Sequence, residues 1–233
     1  MSQQNSNKKF FIGLTVALLL PFSFYIIAKM LGKDKLGMPP YYQAERIDST
    51  VVNGKMHYDT SFHQVNDIVL FNQMGDQVSL NKDLAGKMLV VEVFFTRCGT
   101  ICPRLTSNMG ILQKAFRKND TAIHLVSITI DPENDTVRAL RAYADRYAAN
   151  PDKWWFLTGN RTAIENYLRN ELKLMVKPSD GGAEELDHTQ TIVLLDKERY
   201  IRGYYDGLDT AALKQCADDI GLLSMQRKRE PRK

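Results

Sequence analysis

Apolar residues along the chain fall into two patterns that alternate. Short runs have the length and the β-branched or aromatic content of strands: "MLVVEVFF" (88–95), continuous and apolar, then "AIHLVSITI" (122–130), "TIVLLD" (191–196) and the more polar "RYIRGYYDG" (199–207). The first is broken only by Glu92 and predicts a central strand. Between these runs the spacing changes to helical. Leu105, Met109, Leu112 and Phe116 recur on one face of "PRLTSNMGILQKAFRKN". "DTVRALRAYADRYAA" predicts an amphipathic helix capped by Asp135, and "RTAIENYLRNEL" and "DTAALKQCADDIGLL" predict two more. Ahead of all of these, "VNDIVLFNQMGDQVSL" places two short apolar stretches around Asn72 and Gly75, a hairpin signal, and "DLAGK" is a connector. Strands alternating with helices, with a strand pair near the end, predict an α/β chain with a sheet of mixed direction flanked by helices.

The first sixty residues follow neither pattern. Residues 10–28 are nineteen positions without a charge, after Lys8 and Lys9. That is close to the roughly 20 residues a membrane-spanning helix needs, and Pro21 is tolerable within it. The run ends in "IIAKM", a poor cleavage site, and no cysteine follows to carry a lipid, so an uncleaved anchor is expected. The lysines on its two sides nearly balance and do not decide its orientation. The expected organisation is a short N-terminal tail (1–9), a transmembrane helix (10–29), a tether (30–60), one folded domain (61–225) and a basic tail (226–233).

Composition changes this picture little. The 233 residues are 44% hydrophobic and 25% charged, ordinary for a folded domain. The net charge of +4 is matched by the final "QRKREPRK", with five basic residues against Glu230. The folded part is near neutral and has no basic face for nucleic acid.

The chemistry gathers at "VVEVFFTRCGTICPRL", where Cys98 and Cys102 stand four positions apart between a strand and a helix. The first turn of a helix offers free N–H groups and a positive dipole end. Thiols there ionise more readily, and the thiolate is both nucleophile and metal ligand. Pro103 suits that first turn. Three residues intervene, where thiol exchange of the thioredoxin kind uses two. The pair can be a redox couple, a peroxidase site, a structural disulfide or two ligands of a metal. A disulfide across one turn would staple almost nothing. A copper site would want a third ligand such as imidazole. Of the four histidines, His124 opens a strand and reads as structural, while His57 and His63 lie on the rim of the domain. His188, after the glycine-containing "SDGGAEE", stands at the mouth of a core strand and is the candidate. Cys216 shares a helix face with Leu213 and Ile220 and reads as a small core residue.

The order hairpin, strand, cysteine-bearing helix start, strand, helices, hairpin, helix matches a thioredoxin-like fold. From about residue 65 to 222 the chain resembles the Sco/SenC proteins, membrane-anchored copper-delivery factors for cytochrome c oxidase. "FFTRCGTICP", "SITIDPENDT", "WWFLTG" and "LDHTQTIVLLD", in this order and at these separations, carry the resemblance. It implies one copper ion, Cu(I) or Cu(II), held by Cys98, Cys102 and His188, with Asp187 orienting the imidazole. It implies transfer of that copper to the binuclear copper centre of an oxidase subunit, with a copper donor protein upstream. It also implies an alternative, a thiol–disulfide oxidoreductase keeping the oxidase subunit's cysteines reduced. The chain departs from the family at Gly99 and Thr100, where Pro and an acidic residue are common, and in the flanking Arg97 and Arg104. Those guanidinium groups would favour ionised thiols and an acidic partner. "DPENDT" reads as a strand end and helix cap, or as carboxylates for a docking partner; "WWFLTG" reads as core packing. A metallochaperone is expected rather than a turnover enzyme. Because the N-terminus lacks the arginines of a mitochondrial presequence, the expected site is a bacterial inner membrane with the domain facing the periplasm.

Overall fold

The computed structural model of the protein describes residues 37–52, 55–116, 122–174 and 190–225, together with 14–15, 17 and 19–26. The central strand expected from its apolar run is β5 (Met88–Phe94), buried at every position. Alternation along it still sorts the core into two layers. Leu89, Val91 and Val93 join one cluster and Met88, Val90 and Phe94 the other. Glu92 therefore projects toward the second layer, because successive side chains of a strand point to opposite faces.

Five strands form the main sheet in the order β7-β6-β5-β8-β9. β6 (Ile123–Thr129) and β7 (Trp154–Leu157) run parallel to β5, whereas β8 (Thr191–Leu195) and β9 (Ile201–Asp206) are antiparallel. Val91 at the middle of β5 pairs with Val126 on one side and Val193 on the other. Helices α1 (Ile101–Ala115), α2 (Val137–Arg146) and α4 (Thr210–Met225) pack on the second layer through Leu105, Met109, Leu140, Leu213 and Ile220. The first layer is covered by β3 (Val69–Phe71), β4 (Gln77–Ser79) and the short helix α3 (Arg161–Asn166), which ends in a π-helical turn, Tyr167–Glu171. The β3–β4 hairpin around Asn72 and Gly75 is as expected, with Gly75 at φ 93°.

Three features differ from the sequence reading. "WWFL" is not only packing: it is the edge strand β7, with Trp154 buried and its indole N–H donating to Ser127 Oγ at 2.7 Å. The expected tether (30–60) carries an antiparallel hairpin, β1 (Ala44–Val52) and β2 (Lys55–Phe62), with the sequence pair Asn53-Gly54 between them. Asp135 does not cap α2. Thr136 does, its side chain accepting from the Ala139 N–H, because the Asp135 carboxylate is buried and engaged elsewhere.

Residues 38–233 form one compact unit, and residues 1–37, whose described positions between 14 and 26 are helical, form another. Among the described residues no helix is long and apolar enough to cross a membrane; residues 10–28 fall only partly among them. In the larger unit, Arg202 of β9 is buried and donates to the carbonyls of Pro39 (2.5 Å) and Pro40 (3.2 Å) and to Asp196 (2.9 Å). The ring of Tyr41 lies 4.0 Å from its guanidinium carbon. The start of the unit is thereby tied to the sheet end where β9 begins, opposite the end where β5 stops.

Candidate metal centre

β5 runs out at Phe94 and α1 begins at Ile101, so the loop between them sits at the sheet edge above a helix N-terminus. The Cys98 N–H donates to the Phe95 carbonyl at 3.2 Å, which folds the loop back toward the helix. The Cys102 N–H, in the first helical turn, then donates to Cys98 Sγ at 3.3 Å. Thr100 at the N-cap makes no side-chain cap bond, so the sulfur takes up a donor that such a cap would otherwise satisfy.

The two thiols have opposite environments. Burial alone would push the half-buried Cys98 up. Hydrogen bonds from the Cys102 thiol and from the backbone N–H groups of Cys102, Thr100 and Ile101 outweigh it and hold Cys98 below the ordinary thiol range. Cys102 is fully buried. Burial first, then its hydrogen bond to the Cys98 sulfur, the Cys98 charge and, once ionised, Glu92 push it far upward. One accessible, ionisable sulfur thus stands beside a protected, protonated one.

The loop is held from the neighbouring strand. The Thr96 N–H donates to Asp135 at 3.1 Å, and the hydroxyls of Thr96 and Thr129 both donate to the same buried carboxylate. Asp135 thus joins the ends of β5 and β6. Arg97 of this loop pairs with Asp131, just beyond the end of β6, at 2.7 Å. Its charge is already met, and the depression of the Cys98 pKa comes from hydrogen bonds rather than from a guanidinium.

Beneath the helix start, Glu92 is wholly buried. It accepts from Ser127 Oγ at 2.5 Å and Thr106 Oγ1 at 3.4 Å, and among the described residues Oε2 has no hydrogen-bond partner. Burial raises its pKa to about 8 despite those two bonds. Sequence reasoning assigned no role to Glu92 or Asp135 in shaping the site. For Glu92 the signal was present: a lone carboxylate in an apolar strand.

Histidines among the described residues do not meet the cysteines. His124, the second residue of β6, lies opposite Leu89 at the far end of the sheet, edge-on against Trp155 at 4.5 Å. Burial and then Lys87 lower its pKa to about 3. His63 lies between Glu45 (2.7 Å) and Glu171 (3.2 Å). His57 is on β2, paired in register with Thr50. Among the described residues no three His, Cys, Asp or Glu groups are placed to hold a metal. Asp187 and His188 lie outside the described residues. Thr191, where β8 begins, is at the same sheet end as Phe94 and the cysteine loop. Cys216 is buried in the second core layer, its pKa pushed up to about 12 by burial and then by Asp219.

A model of the SCO1/SenC family matches residues 58–220. The chain belongs to the SCO1/SenC family. The SCO1 protein homolog of Bacillus subtilis is 29% identical over 168 residues, 72% of this chain and 86% of that protein. The solved structure of BsSco, described as a member of the Sco family of cytochrome c oxidase assembly proteins with a disulfide switch, is 28% identical. It aligns with a TM-score of 0.62 over 70% of this chain and 95% of its own. ScoI of Bradyrhizobium japonicum, solved with copper bound, aligns with a TM-score of 0.55 at 23% identity over 68% and 98% of the two chains, and bears on the fold alone. The fold of this SCO1/SenC chain is thioredoxin-like α/β.

Proposed function

We propose that this chain is a membrane-anchored copper-binding protein that carries copper to the binuclear copper centre of cytochrome c oxidase during assembly. The observation that carries the reading is the sulfur pair at the N-terminus of α1, with Cys102 N–H on Cys98 Sγ at 3.3 Å. Two adjacent soft donors, one of them readily ionised, suit Cu(I). His188 is proposed as the third ligand and Asp187 as its orienting partner. Support comes from the start of β8 at the cysteine end of the sheet, with Thr191 three residues after His188. Copper here is cargo: an accessible Cys98 lets a recipient's thiols and imidazoles replace the ligands one at a time. The proposed organisation keeps a transmembrane helix at 10–29, a connecting segment to about residue 60, the domain at 61–225 and a basic tail, with the domain facing the periplasm of a bacterial inner membrane.

The asymmetry of the thiols favours a second reading as well. A half-exposed Cys98 whose pKa is held down can attack a disulfide in a partner as its thiolate, and protected Cys102 can then resolve the mixed disulfide. The partner gains two electrons and two protons, and this chain is left with a Cys98–Cys102 disulfide. Titrating the reduced full-length protein with Cu(I) under anaerobic conditions tests the first reading. Wild type is expected to bind one Cu(I), His188→Ala to bind more weakly and Cys98→Ser to lose the site. Undiminished binding by His188→Ala together with fast reduction of a disulfide substrate would instead establish the oxidoreductase.

A further inference from the structure

The β1–β2 hairpin has one face that none of the described residues covers. The pairs Ile47↔Thr60, Ser49↔Tyr58 and Val51↔Met56 put six uncharged side chains together. Of these, Ile47, Val51, Met56 and Tyr58 are 65%, 70%, 57% and 67% exposed. The Tyr58 hydroxyl reaches Met56 Sδ at 3.9 Å along the same face. The opposite face carries Arg46, Asp48 and Asp59, with Arg46 and Asp48 paired at 2.8 Å. This is an amphipathic two-stranded ribbon, and such a ribbon is marginal in water without a cover for its apolar side.

Its position suggests what the cover is. The base is fastened to the β9 start: Tyr42 N–H donates to the Ile201 carbonyl at 2.9 Å, Gln64 bridges Tyr200, and Tyr41 stacks on Phe62 and meets Tyr200 edge-on. That is the sheet end opposite the cysteine loop and the end to which Arg202 ties Pro39 and Pro40. Only residues 29–37 separate Met38 from the apolar run 10–28. At roughly 3.3–3.6 Å per residue they reach at most about 35 Å, comparable to the ~27 Å length of an eight-residue strand. A bilayer holding residues 10–28 is thus always within reach of the ribbon and present at high effective concentration. The face has no charge to desolvate, and tyrosine among aliphatic residues is the composition of a lipid interface.

We propose that the apolar face of the β1–β2 hairpin lies on the lipid surface, with Ile47, Val51, Met56 and Tyr58 entering the boundary between headgroups and acyl chains. This contact rests on the anchor reading above. It turns the base of the sheet toward lipid and leaves the cysteine end clear for a partner.

The test uses the full chain in vesicles of phosphatidylcholine and phosphatidylglycerol, with Tyr58→Trp and, on the charged face, Thr50→Trp. Wild-type emission from Trp154 and Trp155 is subtracted. Tyr58→Trp is expected to be blue-shifted and quenched by acyl-brominated lipid, Thr50→Trp is not, and adding Val51→Asp with Met56→Asp should abolish the quenching. If the chain floats with the vesicles but Trp at 58 escapes quenching, the contact is wrong while the anchor stands. A blue shift that instead follows protein density would assign the face to a second copy. Failure to float would remove the anchor and this contact with it.

Discussion

Glu92 shows how one residue can shape a site without being a ligand. Its carboxyl is expected to stay protonated through neutral pH because burial lifts its pKa to about 8. Ionised, it would add to the negative potential that keeps Cys102 protonated. The stability consequence has a definite sign. Unfolded, the group ionises in the ordinary carboxylate range; folded, it keeps its proton until about pH 8. The unfolded chain therefore binds fewer protons between those values, and stability falls as pH rises through that window, then levels off. Spread over the window, the loss is on the order of a few kcal/mol. Denaturant unfolding of the metal-free protein at a series of pH values should show that slope in wild type and a flatter profile in Glu92→Gln. Parallel profiles would mean that Glu92 is ionised in the fold.

The β5–α1 loop and its clamp belong to the scale of elements. Asp135 ties that loop to the end of β6 through Thr96 and Thr129, whereas Thr136 only caps α2. Asp135→Ala leaves buried donors unpaired and should cost about 3 kcal/mol. Thr136→Ala should cost about 1 kcal/mol. Chemical unfolding ranks the two, and the reverse order would return the cap to Asp135. These roles also mark what could be read from the chain. β5, β6 and β8 were legible because strands buried on both faces leave largely apolar runs, and β9 from its Ile201, Tyr204 and Tyr205. β7 is four residues long with two adjacent tryptophans and shows no period. The β1–β2 hairpin buries neither face, so its apolar positions look scattered, and only Asn53-Gly54 announced it. The cysteine pair was legible from spacing and the helix start. The Asp135 clamp was not, since Thr96 meets Asp135 only once β5 and β6 lie side by side.

Across the whole molecule, Arg202 fastens the start of the larger unit to the sheet. Its guanidinium is buried with Asp196 and holds two proline carbonyls. Arg202→Ala strands the Asp196 carboxylate and should cost about 3–5 kcal/mol. Residues 38–43 should become sensitive to limited proteolysis at the same time, while equal resistance in wild type and variant would show that the chain start is held by other contacts. The pairing of β5 has a consequence for synthesis. Val91 finds one neighbour in Val126 and the other only in Val193, far along the chain. A polypeptide emerging N-terminus first therefore presents Cys98 and Cys102 long before the strand that shuts the second edge of β5 exists. In that interval both sulfurs belong to a nascent chain with an unprotected flank. The order of translation thus leaves this pair beside an unfinished sheet until β8 has been made.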